Sequence, residues 1–291
     1  MEIRVLRYFL ETAREGNMTR AAERLFISQP TMSKQLKELE NELGAKLFIR
    51  SNYSIRLTEA GMLLRDRAED ILSLVDKTEA EFKSLEETNS GDIFVGAPES
   101  EAMSLFAEAV YSLQKNYPKI RCNIYSGNLS DVCERLDKGL LDFAIVMSYV
   151  DLSKYNYLEL PMKDTWGILM RKDDPLSGKN AFDVSDLDKL PLICSRQWID
   201  QESPRWLGSA AKDMNIVATY NLVYNGSVMV KAGMGYAVVL DKLVNTGEDS
   251  EVVFRPLSSV PQTEMYVIWR KYQTFTPIAD LLLQELTARL C

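Results

Sequence analysis

The chain of 291 residues is 46% hydrophobic and 26% charged, which is typical of a globular protein with two or three domains and no membrane-spanning segment. It contains no histidine, so it lacks the imidazole on which most hydrolase triads and most zinc or iron sites depend, and we expect no enzyme activity, metal or cofactor. The formal net charge of −8 does not favour nucleic-acid binding overall, but residues 1–60 carry ten basic and eight acidic side chains, so the acidic excess lies beyond them.

The N-terminal segment is predicted to begin with two helices. Residues 3–14 place five apolar side chains on one helical face, at Ile3, Leu6, Phe9, Leu10 and Ala13. Thr19 is the expected N-cap of the next helix, in which Ala21, Ala22 and Leu25 share a face. Two alanines allow a neighbouring backbone to come close, so we expect a further helix to pack there.

A third helix is predicted to begin at Ser28, whose hydroxyl can cap free N–H groups, with Pro30 in the first turn. Its apolar face is formed by Met32, Leu36 and Leu39. The side chains that then point outward are Gln29, Thr31, Ser33, Lys34 and Lys37. Amides and hydroxyls can read base edges and lysines pair with phosphates, so this face suits a DNA major groove; the alternative is an ordinary solvated helix face.

Residues 49–57 have β-branched ends around a polar centre, which predicts a hairpin that would form the wing of a winged module. Arg50 and Arg56 would then contact phosphates or the minor groove. An equally weighted alternative is that these arginines only pair with Glu40 or Glu42.

This segment resembles the N-terminal domain of LysR-type transcriptional regulators. The residues that carry the resemblance are Ala21-Ala22, Leu25, Ser28-Gln29-Pro30, Ser33, Leu39-Glu40, Leu43-Gly44, Leu47-Phe48, Arg50, Leu57-Thr58 and Ala60-Gly61. The resemblance implies an all-α winged helix-turn-helix domain over residues 1–60 that binds a double-stranded DNA operator. The predicted DNA-binding residues are Ser28, Gln29, Pro30, Thr31, Ser33, Lys34, Lys37, Arg50 and Arg56.

A long helix is predicted from Thr58 to about Thr88, because this stretch has no proline and its only glycine, Gly61, lies near the start. Apolar residues alternate at spacings of four and three, as in a coiled coil, and the candidate dimerisation residues are Leu64, Ala68, Ile71, Val75, Phe82 and Leu85. This row of apolar residues could pack against a second copy of the helix or against the body of its own chain. The resemblance implies a dimer formed through this linker helix, residues 61–90.

Beyond residue 90, strands alternate with helices, which predicts an α/β domain with largely parallel sheets. The predicted strands are 93–97, 120–125, 143–147, 165–170, 192–194, 216–220, 236–240 and 265–270. The predicted helices are 101–116, 130–138, 202–214, 227–232 and 278–290.

Three landmarks in this region resemble the effector-binding part of the LysR family: residues 91–96, 138–146 and 230–240. The resemblance implies a periplasmic-binding-protein-like α/β fold over residues 91–291. Its first subdomain would comprise about 91–162 and 265–291, and its second about 163–264. A ligand would bind in the cleft between them.

In open α/β sheets, ligands lie beyond the C-terminal ends of the strands, where helix N-termini present free N–H groups. The candidate effector-binding residues at such places are Ser100, Glu101, Asn128, Met147, Ser195, Arg196 and Asn225. By resemblance, Ser100 and Asn128 fall where relatives place hydroxyls that hold an effector carboxylate, although Asn128 has no hydroxyl. The alternative is that Ser100, Asn128 and Ser227 only cap helices.

The acidic residues near this cleft predict the charge of the ligand. Glu99 and Glu101 flank Ser100 and would oppose an anion unless Arg196 offsets them, so we expect a neutral, amine-bearing or aromatic effector rather than a simple dicarboxylate. The four tryptophans, at 166, 198, 206 and 269, are expected to pack in the core, with a pocket wall as the alternative.

The four cysteines, at 122, 133, 194 and 291, form no C-x-x-C pair and no metal-ligand spacing. Residues 1–4 do not resemble a signal peptide, so we expect a cytoplasmic protein with reduced, buried thiols. A redox-sensing Cys122/Cys133 pair or a reactive Cys194 is the alternative, although nothing in the local sequence would lower their pKa values.

We interpret the chain as a LysR-type transcriptional regulator that is controlled by a small-molecule effector of unknown identity. The expected assembly is a homodimer or homotetramer, RNA polymerase is a further candidate partner, and no membrane is involved. A solute receptor for transport would share the C-terminal fold but has no use for residues 1–88. An enzyme fused to a DNA-binding domain would need a nucleophile with a base, or a metal set, and the sequence offers neither.

Overall fold

The structure, a computed structural model, describes residues 1–50, 54–86, 90–147 and 150–290, without the side chains of 84–86. It divides into two compact units, Met1–Lys83 and Ser84–Cys291. The tip of the predicted hairpin, residues 51–53, lies outside the described residues.

The first unit contains a helical core and a small hairpin. Its elements are α1 (Ile3–Glu15), α2 (Met18–Arg24), α3 (Gln29–Leu43), β1 (Phe48–Arg50), β2 (Ile55–Leu57) and α4 (Glu59–Glu86). Helix α1 buries Leu6 and Phe9 against the paired alanines of α2 and against Met32 of α3. Strands β1 and β2 pair antiparallel, with Phe48 opposite Leu57.

The N-cap of α2 is Asn17 and not Thr19. The Asn17 side chain accepts N–H bonds from Thr19 at 2.9 Å and from Arg20 at 3.1 Å. An amide oxygen that reaches two free N–H groups satisfies more of the helix end than a hydroxyl one position further along could.

The first half of α4 packs on the core of its own unit. Ala68 and Leu72 are buried there, and Leu64 and Ile71 pack against the same cluster while half-buried. Further along α4, Val75 is half-buried and Phe82 is 68% exposed; the Leu85 side chain lies outside the described residues. Ala68 is therefore covered by its own chain and is not a surface for a second copy.

The second unit is built from two five-stranded sheets and their helices. The strands are β3 (Ser90–Ala97), β4 (Lys119–Ser126), β5 (Phe143–Met147), β6 (Tyr155–Asp164), β7 (Trp166–Arg171), β8 (Leu192–Ser195), β9 (Ile216–Tyr220), β10 (Tyr236–Leu240), β11 (Val252–Pro256) and β12 (Thr263–Arg270). The α-helices are α5 (Met103–Asn116), α6 (Leu129–Asp137), α7 (Ser203–Leu207), α8 (Val223–Lys231) and α9 (Pro277–Leu290).

The first sheet has the order β4-β3-β5-β12-β6 and the second β11-β7-β10-β8-β9. The chain passes from one sheet to the other after β6 and returns before β12. Each sheet is half parallel and half antiparallel, so the prediction of largely parallel sheets was wrong. The return crossing brings β12 antiparallel into the first sheet between β5 and β6.

Two helix predictions in this unit were wrong in detail. Instead of one helix over 202–214, a π-helical turn (Trp198–Glu202) leads into α7 and then a 3₁₀ turn (Gly208–Asp213). Gly208 adopts φ +57°, a backbone angle that residues with a side chain rarely adopt, and α7 ends there after five residues. Helix α8 begins at Val223, four residues before the predicted start at Ser227. In the part of the chain that is described, no helix is both long and apolar enough to cross a bilayer.

Candidate DNA-binding face and ligand cleft

The start of α3 is fixed by a side-chain cap. Ser28 Oγ accepts the backbone N–H of Thr31 at 3.3 Å and lies 2.7 Å from Thr31 Oγ1, while Pro30 occupies the first turn. Met32, Leu36 and Leu39 are buried, as the sequence predicted, and this burial sets which face of α3 is outward.

The outward face of α3 carries the predicted polar side chains. Gln29, Lys34 and Lys37 are exposed, as are the capping residues, whereas Ser33 is half-buried. Lys34 Nζ lies 4.0 Å from Glu38, a contact between exposed groups that contributes little to stability. The amide and the two ammonium groups are thus accessible to an approaching duplex.

A buried carboxylate connects α3 to the hairpin. Glu40, 4% exposed, accepts backbone N–H bonds from Leu47 at 2.9 Å and Phe48 at 3.4 Å, and a bond from Lys46 Nζ at 3.2 Å. Burial alone would raise the pKa of Glu40, but the N–H bonds and Lys46 hold it below its ordinary value. Arg50 lies 3.9 Å from the same carboxylate, so the alternative role for Arg50 is realised in part; Arg56 is exposed.

A cleft of about 560 Å³ lies at the C-terminal ends of strands from both sheets of the second unit. Its lining residues are Pro98, Glu99, Tyr125, Ser126, Gly127, Asn128, Asp131, Met147, Trp166, Ser195, Arg196, Gln197, Thr219, Tyr220, Asn221, Leu222, Val223, Leu240 and Leu243. The volume suits a small organic molecule.

Four of the seven predicted effector residues lie in this lining: Asn128, Met147, Ser195 and Arg196. Two of them also cap a helical turn, which for Asn128 is the predicted alternative role. Asn128 Oδ1 accepts the Asp131 N–H at 3.0 Å, and Ser195 Oγ accepts the Trp198 N–H at 3.1 Å.

The structure places Ser100 away from the cleft lining. Its buried hydroxyl donates to Asp164 Oδ2 at 2.6 Å and accepts the Ala102 N–H at 3.0 Å. Burial raises the pKa of Asp164, and the Ser100 hydroxyl counters that effect. The only donor of the Ser100 hydroxyl is therefore used within the chain, and an effector could reach only its remaining acceptor lone pair.

Glu101 and Asn225 are also absent from the lining. Asn225 is exposed inside α8, because that helix begins at Val223 and the cleft is lined by Val223 and the two residues before it. Gly226 lets the helix approach the Tyr220 ring, which lies 3.0 Å from where a Cβ would stand.

One hydrogen bond crosses the cleft, between residues that are distant in sequence. Glu99, after β3 of the first sheet, accepts the backbone N–H of Val223 at 2.7 Å with its Oε2. Trp166, one of the four tryptophans, forms part of the wall and donates to Thr263 at 3.1 Å. Only a prediction of the correct start of α8 could have identified Val223.

The described cysteines are free thiols with raised pKa values. Burial raises the pKa of Cys122 and Cys133 to about 11 and that of Cys194 to about 12. Thiolate is therefore scarce at neutral pH, which argues against the redox alternative. Cys291 lies outside the described residues. No cluster of metal-binding side chains occurs among the residues that the structure describes.

The chain matches two protein families. Residues 3–62 match "Bacterial regulatory helix-turn-helix protein, lysR family" and residues 86–291 match "LysR substrate binding domain". It is 30% identical to the HTH-type transcriptional regulator BudR of Raoultella terrigena, over 94% of this chain and 96% of that protein. It is 33% identical to the HTH-type transcriptional regulator YtlI of Bacillus subtilis, over 77% and 74% respectively. The crystal structure of full-length CbnR with its target DNA has the same fold, with a TM-score of 0.76, 19% identity and 99% coverage of both chains.

Proposed function

Because the chain belongs to the LysR family of DNA-binding transcriptional regulators, we propose that α3 and the β1–β2 hairpin bind its operator and that a small molecule in the cleft controls that binding. The observation that carries the proposal is the Ser28-capped helix, which buries its apolar side and exposes an amide and two lysines. This geometry suits insertion of the helix N-terminus into a major groove.

The residues of the DNA face divide by chemistry. Gln29, with Ser28, Thr31 and Ser33, is positioned for base edges, and Pro30 fixes the first turn. The residues for phosphates are Lys34, Lys37, Arg50 and Arg56. Arg50 would leave a weak 3.9 Å contact with Glu40 to reach the backbone, while the shorter bond from Lys46 would remain.

We propose that dimerisation uses the part of α4 that its own unit leaves uncovered. Leu63 is 62%, Leu74 is 42% and Phe82 is 68% exposed, and Val75 is half-buried. When a second copy covers exposed apolar side chains on a helix, their burial stabilises the dimer. We retain Leu85 in the proposed dimer interface. Leu64 and Ile71 would contribute to that interface only the part of their surface that is not packed on the core.

The proposed organisation has three parts, 1–60, 61–90 and 91–291, in a cytoplasmic, non-enzymatic homodimer or homotetramer. A ligand that prefers one cleft geometry would shift the subunit arrangement, and so the spacing at which two copies of α3 meet DNA. RNA polymerase is a candidate partner of the DNA-bound form.

The test is a pull-down of genomic DNA fragments with purified full-length protein, titrated in salt. Wild type should recover fragments that share a partly palindromic sequence, and Lys34→Ala should lose them. Lys212→Ala, which removes an exposed lysine of the second unit, is the matched control and should behave as wild type. Failure of wild type to enrich any sequence would contradict operator binding.

A further inference from the structure

The charges that line the cleft are divided between its two walls. Among the described lining residues, the charged ones are Glu99, Asp131 and Arg196. Glu99 and Asp131 come from the side of the first sheet, after β3 and in the first turn of α6, whereas Arg196 follows β8 of the second sheet. One wall is therefore acidic and the other basic.

Two groups that could hold an anion are already occupied by carboxylates of the chain. The backbone N–H of Val223 at the start of α8 would suit an anionic ligand, but it already donates to Glu99 at 2.7 Å. The Ser100 hydroxyl is taken by Asp164 at 2.6 Å. A ligand carboxylate at this end of the cleft would have to displace a carboxylate and would meet the charge of Glu99.

On the opposite wall, the guanidinium of Arg196 is available to bind an anion. Arg196 is exposed, and within the described ranges no carboxylate forms an ion pair with it. The guanidinium can bind a carboxylate through two parallel hydrogen bonds. The lining also contains aromatic and apolar side chains, among them Tyr125, Trp166 and Leu240, together with uncharged polar ones.

We propose that the cleft binds a small zwitterion, with its ammonium group at Glu99 and Asp131 and its carboxylate at Arg196. This rests on the function proposed above and gives its ligand a chemical class. An ammonium group supplies three donors and would compete with the Val223 N–H for the Glu99 carboxylate. Because that N–H bond joins the first sheet's side of the cleft to α8 on the other side, the ligand would change how the two halves are held.

The probes are matched sets that share one skeleton and differ in charge. Full-length protein is titrated calorimetrically with the twenty standard amino acids, β-alanine and 6-aminohexanoate, then with the deaminated acid and the decarboxylated amine of each ligand that binds. Succinate and adipate represent dicarboxylates. At least one zwitterion should bind, and removal of either charged group should weaken binding about ten-fold or more.

Substitutions on each wall of the cleft test which side chains bind the zwitterion. Glu99→Gln should weaken binding of the zwitterion about ten-fold, while the glutamine keeps an oxygen that can accept the Val223 N–H. Arg196→Gln should weaken binding of the zwitterion by a similar factor. Glu159→Gln, an exposed carboxylate on β6 outside the cleft, is the control and should stay within about two-fold. Hydrogen exchange at the Val223 amide should become faster when the zwitterion binds to wild type.

The inference is overturned if no zwitterion binds, if a dicarboxylate binds more tightly, or if Glu99→Gln has no more effect than Glu159→Gln. The proposed function is judged separately by the DNA pull-down. Recovery of an operator whose footprint responds to another class of ligand would preserve the function and reject the zwitterion. Absence of any operator would reject the function, whatever the calorimetry shows.

Discussion

Glu40 Oε1 accepts the backbone N–H of Leu47 at 2.9 Å, so the C-terminal part of α3 is hydrogen-bonded to the segment that leads into the hairpin. The carboxylate is buried and also serves Phe48 and Lys46. The bond fixes the two parts of the proposed DNA face relative to each other, and its removal would leave buried N–H groups without an acceptor.

Glu40→Ala should therefore lower the free energy of unfolding by about 1–3 kcal/mol, the usual cost of unsatisfied buried N–H groups. Urea unfolding of the full-length protein, followed by circular dichroism, measures it. Glu38→Ala, an exposed carboxylate on the same helix, is the matched control and should change stability by less than about 0.5 kcal/mol. Equal effects of the two substitutions would show that the buried carboxylate is dispensable.

The same carboxylate should contribute to acid sensitivity. The pKa of Glu40 is lower in the folded chain than its ordinary value of 4.5, so its ionised form stabilises the fold. This contribution is complete above about pH 4.5 and is lost as the pH falls through the lower, folded pKa. The urea midpoint should fall more steeply between pH 6 and pH 3 for wild type than for Glu40→Gln, which has no titrating group at this position.

The elements with buried apolar residues were the most predictable from the sequence. Strand β5, buried at every residue, was predicted with the bounds Phe143–Met147 that the structure has. Strands β6 and β11 were missed, although two other edge strands, β4 and β9, were predicted. Strand β6 contains Pro161, and a proline within a run of residues argues against a strand there.

The candidate cleft shows a similar limit. Asn128 and Ser195 were found because polar residues follow predicted strands, whereas the role of Glu99 depends on where α8 begins. The hydrogen bond from Ser100 to Asp164 was not predicted because Asp164 is distant in sequence and lies at the end of β6, a strand with no clear signal.

Ser100→Ala should lower stability and not merely ligand affinity. The buried Asp164 carboxylate would lose its hydroxyl donor, at a cost of about 1–3 kcal/mol. Burial raises the pKa of Asp164 above its ordinary 3.8, and the hydroxyl stabilises the ionised form. The loss should therefore be greater at pH 8, where Asp164 is ionised, than at pH 3.8, below its folded pKa. Urea unfolding at both pH values measures this, with the exposed Ser126→Ala as control. A loss that does not depend on pH would contradict the coupling to Asp164.

Gln29→Ala should affect DNA binding differently from Lys34→Ala. An amide that reads a base edge contributes discrimination, so its removal should reduce the preference for operator over mutated operator by about 1–3 kcal/mol. Loss of a phosphate-contacting lysine should weaken binding to all sequences and reduce the slope of log K against log salt by about one. Fluorescence anisotropy with the recovered operator and a base-substituted copy, at several salt concentrations, separates the two effects. If both variants bind as wild type does, the assigned face of α3 is wrong.

Phe82→Asp should shift the protein from dimer towards monomer. The ring is 68% exposed on α4 in the single chain, so a charge there costs the isolated chain little, but it would be buried if a second α4 covered it. Sedimentation velocity across a range of protein concentrations measures the shift. Tyr272→Asp, at a ring that is 99% exposed in the second unit, controls for loss of an exposed aromatic residue. An unchanged dimer in Phe82→Asp would remove this residue from the interface.

Phe26, in the turn between α2 and α3, should limit the stability of the first unit. It has φ +55° and its ring is 95% exposed, so the chain accepts a left-handed conformation at a bulky residue without burying the side chain. The N–H groups of Phe26 and Ile27 bond to carbonyls of α2 at 3.2 and 3.0 Å, which is the geometry in which glycine or asparagine commonly ends a helix. Phe26→Asn should therefore raise the free energy of unfolding by up to about 1 kcal/mol in urea unfolding. Phe26→Ala, which removes the ring but retains the strained Cβ, should give no such gain. Equal stabilisation by both substitutions would trace the effect to the exposed ring rather than to the backbone conformation.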